Sequence, residues 1–172
     1  MLTVWKKSLL PNCNGFTVFD CQGNLVFRVD NYTAANKDQI ILMDAAGRSL
    51  LTIARKQRLR WVLFEGEEYG KVLFTGRKQV NILNSKCLAQ LYSAGKKMKE
   101  LAYEMEGSYT QRCCTFYDKN RTKVADIKPK EAAEGGVAFG TDIFRLIVHP
   151  PHIDTTLAMA FLILLDHMFP SR

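Results

Sequence analysis

Acidic residues are scarce: 17 Asp and Glu face 24 Lys and Arg, giving a net charge of +7 and a pI near 9.2. That imbalance favours partners of negative charge, nucleic acid or anionic lipid, and does not bear on the fold. Histidine is scarcer still. The three that occur, His149, His152 and His167, form with the five cysteines no HExxH, no paired CxxC and no usual metal spacing. No metal and no cofactor is expected. GxSxG, a glycine-rich phosphate loop and an EF-hand loop are also absent. Glu65, Glu67 and Glu68 cluster, but in a turn-like EGEEYG that reads as a solvated loop rather than a catalytic pair. The expectation is a protein that is not an enzyme. Five cysteines (13, 21, 87, 113 and 114) are an odd number, and the start MLTVWKKSLL has no apolar export region. Both features predict a cytoplasmic or nuclear chain with reduced thiols, in which Asn31 and Asn120 never meet the glycosylation machinery.

What the chain has instead is a repeated unit. FTVFDCQGNLVFRV at 16–29 and IILMDAAGRSLLTI at 40–53 both read apolar run, Asp-x-x-Gly, apolar run, 24 residues apart. The flanks are β-branched and aromatic. Asp at the first turn position accepts hydrogen bonds from backbone N–H groups further on, and Gly takes the positive φ that closes the turn. Each is a β-hairpin, with a four-residue connection or a glycine bulge. CTFYDKNRTKVADI is a weaker third copy, in which Asn120 is expected in the left-handed region. Uneven spacing excludes a solenoid.

Strand-like runs continue at LTVWKKSLL, RWVLFE, YGKVLFT, CLAQLY, ELAYEM, SYTQRCCTFY and DIFRLIVH. About a dozen strands are too many for one flat sheet, and a barrel is the natural way to remove the edges. In the strand holding Cys113 and Cys114 the two thiols point to opposite faces, and both read as inert buried cysteine. KPKEAAEGGVAFG reads as a surface loop, and nothing marks a linker, so one domain over 1–172 is expected. The end differs. In HIDTTLAMAFLILLDHMFP, Asp154 is a good N-cap and Pro170 forbids continuation, framing a helix over 155–168. Large apolar side chains reach almost every side of it. The eleven residues between Asp154 and Asp166 span roughly 17 Å against the roughly 30 Å of a bilayer core, so it does not cross a membrane. Having no polar face, it does not lie on a membrane surface either. It belongs inside the strands, with Asp166 reaching solvent or a Lys/Arg partner at the barrel mouth.

A barrel around a C-terminal apolar helix is unusual, and the chain resembles the plant LURP-one-related family, within the superfamily of the Tubby C-terminal domain and the phospholipid scramblases. The residues that carry the resemblance are LTVWKKSLL, GFTVFDCQGNLVFRVDNY, ILMDAAGRSLLTI, NSKCLAQLY, KVADIKPK and GTDIFRLIVHPPHIDTTLAMAFLILLDHMFP. The resemblance implies a mainly β fold, a twelve-stranded antiparallel barrel enclosing the helix. Such proteins usually carry a lead segment before the LTV strand, so an open barrel edge is expected here.

Charge is concentrated. From Arg48 to Lys99 twelve Lys and Arg face three Glu, a local +9 that leaves −2 for the rest of the +7 chain. ARKQRLRW places Arg55, Lys56, Arg58 and Arg60 on consecutive strand-like positions, with Arg58 and Arg60 on one face. GRKQVN adds Arg77 and Lys78, and GKKMK adds Lys96, Lys97 and Lys99. Arg55, Lys56, Arg58, Arg60, Arg77 and Lys78 are the candidate anion site. They suit binding, since no nucleophile accompanies them. The Tubby resemblance implies recruitment to phosphoinositide headgroups on a membrane, and a monomer, peripheral to the membrane, is expected. Nucleic-acid binding lacks interleaved exposed aromatics. Protein scaffolding stays open. Lipid scrambling lacks both a calcium loop and a spanning helix.

Overall fold

Each Asp-x-x-Gly segment closes its hairpin in the same way. The backbone N–H groups of Gly23 and Gly47 donate to the carbonyls of Asp20 and Asp44, and each Asp N–H donates back to the residue after the glycine. The Asp carboxylates accept further backbone N–H groups, from Gln22 and Asn24 in the first and from Arg48 in the second. Gly23 and Gly47 have φ of 84° and 85°, and a register shift follows in each hairpin, which is the glycine-bulge form. The third copy keeps every one of these bonds, with Asp118 accepting from Asn120, Arg121 and Thr122. One expectation is corrected there. Arg121, not Asn120, takes the positive φ, 63°, because it occupies the position of the glycines.

The computed structural model describes residues 1–11, 13–31, 38–67, 70–80, 86–95, 100–131 and 140–170. Its strands are β1 (Leu2–Trp5), β2 (Asn14–Phe19), β3 (Leu25–Asn31), β4 (Gln39–Asp44), β5 (Ser49–Gln57) and β6 (Arg60–Glu65). They continue as β7 (Val72–Lys78), β8 (Cys87–Ser93), β9 (Leu101–Ser108), β10 (Cys113–Asp118), β11 (Lys123–Pro129) and β12 (Ile143–Val148). All pair antiparallel in a closed ring. The open edge expected from the short start is not there: β1 pairs with β2 on one side and with β12 on the other, Leu2 opposite Leu146 and Trp5 opposite Ile143. Two further runs are shorter than they read. LTVWKKSLL leaves the sheet after Trp5, and SYTQRCCTFY is broken by a turn in which Arg112 takes φ 54°. KPKEAAEGGVAFG and GKKMK fall largely outside the described residues.

The helix α1 (Thr155–Met168) fills the ring. Asp154 caps it, its carboxylate accepting from the N–H groups of Thr156 and Leu157. Every residue from Ala158 to Leu165 is buried, which is what a helix apolar all round requires. Phe161 is the hub, with its ring edge-on to Phe74, Tyr103 and Phe116 at centroid distances of 5.8, 5.0 and 6.2 Å. Gly76 admits the helix closely: a Cβ there would lie 3.1 Å from a Leu164 methyl. Asp166 meets the expected kind of partner, Lys6 Nζ at 2.8 Å, and also accepts from the Tyr109 hydroxyl at 2.9 Å. Among the described residues no helix is long and apolar enough to cross a membrane.

Candidate cationic rim of the barrel

Antiparallel closure sorts the connections into two rims. The three Asp-turn hairpins (β2–β3, β4–β5 and β10–β11) lie at the rim where α1 begins. The β1–β2, β5–β6 and β7–β8 connections lie at the rim where α1 ends. Four cations at the first rim are neutralised, while Lys71, among the described residues, has no carboxylate ion pair. Arg48 is bound to Asp44, Lys119 to Glu100, Arg121 to Glu104 and Glu106, and Lys123 to Asp126. Asp126 is nearly buried, which works to raise its pKa, but hydrogen bonds from His149, Lys123 and Thr115 outweigh burial and hold it low.

The six candidate residues all lie at the second rim, and among the described residues none has a carboxylate ion-pair partner. Acids there are few. Among the described residues Asp30 is taken by Arg28 and Asp166 by Lys6, leaving Asp38, Asp142 and Glu131. The local reading of ARKQRLR is corrected: it is a hairpin, not one strand. The chain turns at Arg58 and Leu59, so that Gln57 faces Arg60 and Arg55 faces Trp61. Arg58 and Arg60 therefore do not share a face by strand alternation. They come together because the turn folds one over the other.

The six divide into three environments. Arg58, Arg60 and Arg77, with Gln57 and Leu59, line an open cavity of about 450 Å³. Arg60 lies directly opposite Arg77 on the neighbouring strand. Like charges in that position repel. Arg55 and Lys78 sit instead at the end of α1. The Arg55 guanidinium lies 5.6 Å from the Trp61 ring centroid, and Trp61 meets His167 edge-on at 6.2 Å. Lys78 donates to the Met168 carbonyl, capping the helix where its dipole is negative, and stands 4.1 Å from the Phe169 ring centroid. Burial, then the charge of Arg55, lowers the Lys78 pKa; the same two causes in the same order lower that of His167. Lys56 stands apart, 5.6 Å from the Phe64 ring centroid.

Sequence reasoning missed two contributors to this rim. Lys6 reaches it through Asp166. Arg112 is buried between the rings of Tyr109 and Phe144, at 4.4 and 4.3 Å, with Nε donating to the Thr141 carbonyl. Neither lies in the basic span, so no charge count could find them. The arrangement holds three cations without partners around an open concavity and no activated nucleophile beside them. Cys87 is half-buried, its thiol pushed up to about 12, first by burial and then by Glu104 and Glu106. Such an arrangement has the charge to hold an anion and nothing beside it to attack one.

A family model described as LURP-one-related matches residues 1–166. Among curated proteins of Arabidopsis thaliana, Protein LURP-one-related 8 is 49% identical over 99% of this chain and 88% of its own length. Protein LURP-one-related 17 is 41% identical over 98% of this chain and 82% of its own. The X-ray structure of another Arabidopsis thaliana protein superposes with a TM-score of 0.70 at 19% identity, covering 96% of this chain and 88% of that one, a likeness of fold alone.

Proposed function

The chain belongs to the LURP-one-related family, and from that premise we propose that it is a non-enzymatic module recruited to anionic membrane surfaces through phosphoinositide headgroups. The observation that carries this reading is the Arg58, Arg60 and Arg77 cluster, with Arg60 opposite Arg77 and no acid between them. Cations that serve the fold in this barrel have partners: Lys6, Arg28 and Arg121 hold carboxylates and Lys78 holds a carbonyl. The three arginines have none, and a multiply charged phosphate ester would relieve their repulsion by bidentate bonding. Arg55, Lys56 and Lys78 add field at the same rim without being required to touch the headgroup.

Sedimentation with phosphatidylcholine vesicles, with and without phosphoinositide, tests it, with duplex DNA at matched salt as the control. Replacing Arg58, Arg60 and Arg77 together by Gln should weaken binding by roughly a hundredfold, at about 1 kcal/mol per cation, without loss of folded stability. Binding should fall steeply with salt. A wild-type chain that ignores phosphoinositide vesicles at low salt would overturn the reading. Tighter binding to DNA than to vesicles would move the site to nucleic acid.

A further inference from the structure

We propose that the β1–β2 connection is an apolar membrane anchor, so that the barrel stands end-on with the end of its helix facing the bilayer; this rests on the membrane reading above. Five large apolar side chains are exposed among the described residues, and three of them, Trp5 (39%), Leu9 (51%) and Val80 (59%), lie at the cationic rim. Met1 and Val72 stand singly at the other end. One exposed leucine is ordinary. The way this one is presented is not.

The loop that carries Leu9 is bonded to the barrel through the three residues that precede it. Ser8 is buried at 6% exposure, and its hydroxyl donates to the buried carboxylate of Asp30, which Arg28 neutralises. The Ser8 oxygen also accepts the Leu10 N–H at 3.1 Å. The Lys6 N–H donates to the Asp142 carbonyl at 2.7 Å, and the Thr17 hydroxyl to the Lys7 carbonyl at 3.2 Å. Leu9 is thus held outward next to a residue fixed to the barrel, Ser8, which also holds the Leu10 N–H. A loop already ordered loses little entropy on docking. Beside it Lys7 Nζ lies 5.1 Å from the Trp5 ring centroid, so an amphipathic aromatic and a cation share one spot. That pairing suits the boundary between headgroups and acyl chains.

Topology then selects the partner. In the ring order β7 follows β1 by six of twelve positions, so Val80, just past β7, lies across the barrel from Trp5 and Leu9. Each pole joins an apolar side chain to cations, Lys7 on one side and Arg58, Arg60 and Arg77 on the other. A broad flat anionic surface reaches both poles at once. A peptide in a groove reaches one.

The two tryptophans make the test direct, because Trp61 is buried at 2% and Trp5 is exposed. Phosphatidylcholine–phosphoinositide vesicles with acyl chains brominated near the headgroup should quench and blue-shift the emission on binding. Trp5→Phe should abolish both effects. Leu9→Ser and Val80→Ser, which change no charge and touch no core, should each weaken vesicle binding roughly tenfold or more. They should leave binding of soluble inositol phosphate unchanged. Vesicle binding with no quenching, and with Leu9→Ser and Val80→Ser binding as the wild type does, would overturn the anchor while the headgroup reading stood. No binding of either vesicles or inositol phosphate would overturn both.

Discussion

Replacing Phe161 by Ala removes a side chain on which three strands of the barrel close. Its ring has no exposure and meets Phe74 of β7, Tyr103 of β9 and Phe116 of β10 edge-on. A buried Phe→Ala change costs about 3–5 kcal/mol, because the cavity adds to the lost transfer energy. Three edge-to-face contacts, worth about 0.5–1.5 kcal/mol each beyond burial, put this site at the upper end. A loss of about 5 kcal/mol lies at the bottom of the 5–15 kcal/mol net stability of an ordinary domain. For a chain of 172 residues it corresponds to a fall in Tm of roughly 10–20 °C. Urea unfolding followed by far-UV circular dichroism reads it directly. Leu157→Ala, on the same helix but only partly buried, is the control and should cost about 1 kcal/mol. If Phe161→Ala cost no more than Leu157→Ala, the barrel would not depend on the helix to fill it, and the enclosed-helix account would fail.

At the turns, Gly23→Val and Gly47→Val should each destabilise by about 1–3 kcal/mol by thermal melting. Both glycines have open space around them, so the cost comes from φ near 85° alone. Iodoacetamide at pH 8 should label exposed Cys21 and Cys113 well before Cys114, whose thiol burial pushes up to about 12, and peptide mapping of a time course would show the order. His167 is held below its usual pKa in the folded state, so protonation disfavours folding. Its contribution is full above about pH 6.5, where the unfolded imidazole titrates, and is lost as pH falls through the lower folded value. Urea midpoints at pH 7.5 and 5.5 should therefore differ more in the wild type than in His167→Phe.

The parts of this fold legible in the sequence are those where one residue type does one backbone job. Gly23 and Gly47 declared their turns because few other residues tolerate that φ, and Asp154 and Pro170 framed the helix for equally local reasons. Legibility failed where tertiary contacts replace the local signal. Arg121 takes the glycine position, held by Glu104, Glu106 and the Tyr117 ring beneath its guanidinium. The β5–β6 turn at Arg58–Leu59 carries no Gly, Pro or Asn, and needs none, since its φ values are not positive. Cys113 is exposed where both cysteines were expected buried, because alternation can bury only one of two neighbours, here Cys114. Charge was legible as a total and not as a place. The order of strands around the ring decides which cations meet, and Lys6 joins the rim from outside the basic span.

Helix direction explains some of that rim and leaves a remainder. The last turn of α1 presents carbonyls and partial negative charge, and Lys78 satisfies it directly. Arg58, Arg60 and Arg77 make no such bond and lie on the cavity outside it. Arginines kept only for the fold would be stabilising, whereas arginines kept for a ligand should stabilise only once it is bound. Arg60 opposite Arg77 on adjacent strands should cost about 0.2–1 kcal/mol in the free protein. Arg77→Gln should therefore raise the urea midpoint at low salt, and the gain should shrink towards 0.5 M salt as the repulsion is screened. Adding soluble inositol phosphate should reverse the order and leave the wild type the more stable of the two. A destabilised Arg77→Gln at low salt would mean that the arginine serves the barrel, and the pair would no longer point to a ligand.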